Sequence, residues 1–109
     1  MTTPLFVATR ERAPNQYGEL ETGETTLAFA SHDLGAMNLP DGYVPATPAG
    51  KPLGVEFALV TQDVAAAFAT AVAAGAKPIS PAKVKPWGQT VAYVRSIEGT
   101  LIELCTPVG

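Results

Sequence analysis

Eight glycines and prolines fall between residues 35 and 54, at Gly35, Pro40, Gly42, Pro45, Pro48, Gly50, Pro52 and Gly54. Proline removes a backbone donor and glycine weakens any regular element, so this density of breakers excludes regular structure from residues 31 to 54. The stretch sets the boundary between two halves of a 109-residue chain. So long a loop in so small a domain serves as a linker, a crossover or a lid. The length fits a single domain, 1–109, made of an N-terminal segment (residues 1–30), the crossover loop (residues 31–54) and a C-terminal segment (residues 55–109).

Composition narrows the class further. Hydrophobic residues make up 47% and charged residues 16%, the balance of a compact globular protein rather than a disordered one. A formal net charge of -3, with seven scattered basic residues, excludes nucleic acid and anionic membrane as expected partners. The lone Cys105 permits neither an internal disulfide nor a cysteine-based zinc site, which points to a reducing, cytoplasmic setting and an inert buried thiol. The N-terminus lacks the charged start and long apolar run of a signal peptide, and the longest apolar region, residues 64 to 76, is too short to span a bilayer.

Along the C-terminal segment, residues 55 to 61 read as a strand. Asp63 then stands as an N-cap before an Ala-rich helix over residues 64 to 74, with Gly75 as its stop. Val64, Phe68, Ala71 and Val72 share one helical face, suited to packing on a sheet. Residues 77 to 80 read as a short strand, 81 to 87 as a loop, and 89 to 95 with 100 to 105 as a hairpin around Ile97-Glu98-Gly99. In the N-terminal segment, residues 5 to 9 read as a strand, 10 to 15 as a polar connection, and 17 to 21 with 25 to 30 as a second hairpin. The two hairpins echo each other, since Tyr17 stands six residues before Gly23 as Tyr93 stands six before Gly99.

Period-two alternation sorts the strand side chains by face. Leu101, Glu103 and Cys105 share one face of the last strand, leaving Ile102 and Leu104 on the other. Glu56, Ala58 and Val60 likewise share a face, while Phe57 and Leu59 are expected against the helix. Gln89, Val91, Tyr93 and Arg95 carry polar groups at intervals and read as the cavity side of their strand. A carboxylate such as Glu103 between Leu101 and Cys105 meets solvent, lines a cavity or holds a cation. Trp87, in Pro86-Trp87-Gly88, is a loop aromatic able to stack on a flat or cationic ligand, or to cover the core.

The ordered run of Gly54-Val55-Glu56-Phe57-Ala58-Leu59-Val60 into Asp63-Val64, Ala73-Ala74-Gly75-Ala76, Pro86-Trp87-Gly88-Gln89 with Tyr93, and Glu98-Gly99 before Leu101-Ile102-Glu103-Leu104 resembles the vicinal oxygen chelate superfamily. That superfamily includes glyoxalase I, bleomycin-resistance proteins and extradiol dioxygenases. The resemblance covers about residues 17 to 108 and implies an α+β fold: one complete βαβββ module over residues 55–107 and a truncated βββ half-module over residues 5–30. The first strand and helix of the other module have no counterpart, a difference of roughly 25 to 30 residues.

By the same resemblance, Glu56 sits where metal-binding members carry the ligand that opens the module, and Glu103 matches the carboxylate ligand on its last strand. Ala28 takes the equivalent place in the first half, so two carboxylates alone are too few for a metal centre. The resemblance thus implies a small-molecule binding or sequestration protein, a homodimer with no cofactor, which takes an aromatic or cationic compound in a cup lined by Glu56, Glu103, Trp87, Tyr93, Gln89 and Tyr17. The alternative is a metal-dependent lyase, isomerase or dioxygenase whose site a second chain completes, with Glu56, Glu103 and His32 as ligands to a divalent metal ion. His32 otherwise reads as a solvated residue at a strand end.

Overall fold

A computed structural model describes residues 9–13, 17–20 and 27–107, with side chains from residue 27 onward. The chain divides between Pro45 and Ala46 into two compact units. In the first, strands β1 (Thr9–Ala13), β2 (Tyr17–Leu20) and β3 (Leu27–Ala30) form an antiparallel sheet in that order, followed by a short helix α1 (His32–Asn38). The second unit contains β4 (Glu56–Val60), α2 (Val64–Ala73), β5 (Lys77–Val84), β6 (Thr90–Arg95) and β7 (Leu101–Cys105). Its sheet runs β4-β7-β6-β5, with β4 parallel to β7 and the other pairs antiparallel. This is the βαβββ module that the resemblance implies, and the first unit supplies three strands of the other.

Helix α2 is bounded as its sequence dictates. The Asp63 side chain accepts a hydrogen bond from the Ala66 N–H at 3.1 Å, satisfying a donor that the first turn leaves free. At the other end the Gly75 N–H reaches the Val72 carbonyl and the Ala76 N–H reaches that of Ala71, both at 3.0 Å. That closure puts Gly75 at φ 110°, a conformation which glycine tolerates best. The buried stripe is Val64, Ala67 and Ala71, with Phe68 and Val72 half-buried beside it. Small residues let the helix lie close to the sheet, where it covers chiefly β5 and β6 and less of β7. The opposing strand residues Ala92, Val94, Ile102 and Leu104 are all buried.

Four expectations differ from the structure. The crossover stretch contains a helix, because Ser31 caps it by accepting from the Leu34 N–H at 3.1 Å and Gly35 is the only breaker inside it. His32 is therefore the first helical residue, not a strand end. The first strand falls at Thr9–Ala13, on the supposed polar connection; an edge strand needs only its ladder to β2, and residues 5 to 8 lie outside the described residues. Strand β5 runs on to Val84, through Pro78 and Pro81, which it tolerates as the outermost strand with two register shifts against β6. Phe57 is not packed under α2 but 46% exposed, because the helix does not lie over β4.

The hairpin echo also fails in register. Tyr93 pairs with Glu103, whereas Tyr17 pairs with Ala30, so the first hairpin is three residues longer between its paired positions. Ala30, rather than Ala28, therefore stands opposite the tyrosine in the first unit.

Candidate functional site

Register brings three of the anticipated side chains onto one face of the second unit's sheet. Glu103 on β7 lies opposite Tyr93 on β6 and opposite Ala58 on β4, two residues from Glu56. The Tyr93 hydroxyl donates to Glu103 Oε1 at 3.1 Å. A hydrogen bond to Glu103 holds the Glu56 carboxyl above its ordinary range, with desolvation and the charge of Glu103 adding to it and a hydrogen bond to Tyr93 opposing it. Register places Glu56 opposite Leu101, two residues from Glu103 on the same face. Desolvation, then the hydrogen bond and charge of Glu103, push the Tyr93 phenol up to about 12. The phenol therefore stays protonated, and able to donate, through neutral pH.

Cys105 is buried on the same face, and desolvation followed by the neighbouring Glu103 raises its thiol pKa. A thiol in that setting stays protonated and is a poor nucleophile. Its Sγ lies 3.9 Å from the Leu59 carbonyl.

Just beyond the Cys105 end of these strands, Trp87 is 67% exposed, and its Nε1 donates to Gln89 Oε1 at 2.8 Å. Gln89 in turn donates from Nε2 to the Thr106 carbonyl at 2.8 Å. Gln89 thus works as a bracket that fixes the indole plane to the end of β7. Tyr17 has its backbone paired with Ala30, and its side chain lies outside the described residues. His32, in the first unit, is engaged locally: its Nδ1 lies 2.9 Å from the Tyr43 hydroxyl, which also reaches the His32 carbonyl at 3.3 Å. Gly35 makes that approach possible, since a Cβ there would meet the Tyr43 hydroxyl at 2.7 Å.

Among the described residues no three His, Cys, Asp or Glu side chains are grouped to hold a metal ion. Glu56 and Glu103 alone supply two of the three or four ligands a transition metal takes.

One organising residue was not singled out by the sequence. Arg95 closes the polar series on β6 and is only 4% exposed. It donates from Nε to the Gly99 carbonyl (3.0 Å), from Nη1 to that of Gly50 (2.6 Å) and from Nη2 to that of Thr47 (2.7 Å). One guanidinium therefore ties the segment around residues 47 to 50 to the β6–β7 turn. Gly99 is required there, because a Cβ would collide with the Thr47 carbonyl. The available signal was an arginine on a strand face otherwise destined for burial.

No family model matches the sequence, and no curated protein matches it. Solved structures do. A glyoxalase-related enzyme from Fulvimarina pelagi superposes with a TM-score of 0.76 at 22% identity, over 94% of this chain and 74% of that one. A glyoxalase/bleomycin resistance protein/dioxygenase family enzyme from Burkholderia phytofirmans PsJN gives 0.67 at 18% identity, over 97% and 91%. A glyoxalase/bleomycin resistance protein/dioxygenase from Nocardioides gives 0.66 at 20%, over 97% and 70%. The chain has the vicinal oxygen chelate fold. No helix among the described residues is long and apolar enough to cross a membrane.

Proposed function

Taking that fold as the premise, we propose that the chain binds a small cationic aromatic compound at Glu56, Tyr93 and Glu103, as a sequestering protein without a metal cofactor. The observation that carries this reading is the pair of carboxyl groups on one face of adjacent strands, with the Tyr93 phenol donating to Glu103. Two like charges in one place favour either a proton or a cation between them. A ligand cation replaces that proton, and Tyr93 or the pinned indole of Trp87 offers its aromatic part a flat surface.

Thermal unfolding should therefore be raised more by phenethylammonium than by neutral phenethyl alcohol, because preferential binding to the native state stabilises it. Glu103→Gln should reduce that preference by about 1 kcal/mol, roughly fivefold in affinity. Glu56→Gln should reduce it less, because Glu56 is exposed and water screens its charge. Affinity for the cation should also rise with pH from the ordinary glutamate range upward, as the proton leaves the pair. The sign for stability is the reverse: a raised carboxyl pKa stabilises the fold at low pH, and the contribution is lost as pH rises through the folded value. Equal stabilisation by the alcohol, or a preference for anions, would remove the basis of this proposal. One tightly held metal per chain in elemental analysis would instead favour the metal-dependent reading.

We further propose that the protein works as a homodimer. The two edges of the second unit's sheet differ in kind. Strand β5 carries Pro78, Pro81 and two register shifts, whereas β4 has neither proline nor irregularity and leaves Val60 exposed. An unblunted edge invites pairing with another chain. Light scattering should give twice the 11.3 kDa chain mass at micromolar concentration, and a stable monomer would contradict it.

A further inference from the structure

Charge changes sign across one face of the second unit's sheet. Pairing puts Lys77, Ser80 and Lys83 of β5 opposite Arg95, Tyr93 and Val91 of β6, so all three lie on the face that carries Tyr93 and Glu103. Lys85 follows Lys83 by two residues, and its N–H meets the Gln89 carbonyl at 2.8 Å, which keeps it on that face. In strand order the face bears Glu56 on β4, Glu103 on β7, a phenol on β6 and lysines on β5. Between Ala76 and Ile97 the chain has four basic residues, Lys77, Lys83, Lys85 and Arg95, and no acidic one. Arg95 is committed to the carbonyls of Gly99 and of the strap around residues 47 to 50, and Lys77 stands opposite it at that end. Lys83 and Lys85 stand at the other end, beside the turn that the Gly88 N–H closes on the Lys85 carbonyl and that presents Trp87. Resting on the reading of Glu56, Tyr93 and Glu103 given above, we infer that the ligand is an aromatic ampholyte: its ammonium meets the two carboxyl groups, and a carboxylate at the far end of its ring meets Lys83 and Lys85.

The spacing sets the size of the compound. Lys83 is two strands across and two residues along from Glu103, about 12 Å between Cα atoms. Lysine and glutamate side chains take up part of that distance, which leaves the span of one para-substituted ring between the charges. An α-amino acid carries both charges on one carbon and is too short. The residue between Lys83 and Cys105 in their row is Val91, which brings no charge to compete for either end. The Trp87 indole, held by Gln89, stands at the lysine end, so the ring and its carboxylate are met together. Lys83 is exposed and Lys85 half-buried, so each contributes modestly and is screened by salt. Both lie at the border opposite β4, and pairing of two chains through β4 leaves them accessible.

The test is calorimetric titration of the full chain, at neutral pH, with 4-(2-aminoethyl)benzoate and with its methyl ester, which keeps the ammonium and the ring and lacks the anion. The acid should bind about threefold more tightly than the ester at low salt, and the advantage should shrink at high salt. Lys83→Gln and Lys85→Gln should each reduce that advantage and leave the affinity for the ester unchanged, whereas Lys77→Gln should alter neither. An ester that binds as tightly as the acid and competes with phenethylammonium overturns the inference and leaves the cation reading standing. An advantage that survives in the Lys83→Gln, Lys85→Gln double variant, or that Lys77→Gln reduces equally, also overturns it. If 4-ethylbenzoate, which has no ammonium, binds as tightly as the ampholyte, or if none of these compounds binds, the cation reading falls with it.

Discussion

Arg95→Ala is expected to lower the free energy of unfolding by about 3 kcal/mol. The guanidinium is buried and serves three carbonyl oxygens, on Gly99, Gly50 and Thr47. Alanine removes all three donors at once and leaves a hole where the side chain packed. The carbonyls of Gly50 and Thr47 can turn to water if the strap lifts, which limits the loss but frees the segment around them. Arg95→Lys should recover only a small fraction, since an ammonium cannot match a planar fork aimed at three acceptors. Arg95→Met should recover the packing and not the hydrogen bonds. Urea unfolding gives the energies, and limited proteolysis between residues 46 and 54 reports the strap. If alanine costs under about 1 kcal/mol and the segment stays protected, the latch contributes little.

Leu104→Ala should cost about 3 kcal/mol as well, by a different route. Leu104 is 1% exposed and sits on β7 between Leu59 of β4 and Ala92 of β6, so neither neighbouring strand can collapse into the space it leaves. Val84→Ala, at an exposed end of β5, should stay within about 0.5 kcal/mol. Equal effects of the two substitutions in urea unfolding would mean that the sheet is not the stabilising layer of this unit.

The elements of the fold legible in the sequence were those with a local cause. Asp63 and Gly75 announce the ends of α2 through their own backbone chemistry, and period two sorted Glu56, Tyr93 and Glu103 within their own strands, the resemblance turning them toward one cup. What could not be read depends on partners distant in sequence. Thr9–Ala13 is polar and becomes a strand only because β2 offers it a ladder. Pro81 signals a loop unless its strand has a free outer side. Ser31 caps a helix in a stretch where glycine and proline dominate the local signal. Arg95 meets carbonyls 45 and 48 residues earlier, and the placement of Glu56 near Glu103 depends on the parallel pairing of β4 with β7.

The unequal edges of the β4-β7-β6-β5 sheet also limit how far association can proceed. A sheet whose two borders both offer free donors and acceptors can recruit a neighbour on each side and grow without end. Here one border is β5, where Pro78 and Pro81 lack the N–H groups a further strand would need and the register shifts break the spacing of those that remain. Growth can therefore start only at β4. Two chains meeting there by the same edge, as proposed, would use up this sheet's competent border in each, and the symmetric pair would be closed at this sheet. For this sheet, the prolines that obscured a strand in the sequence would act as a stop codon for the proposed assembly, favouring a finite particle over a fibre.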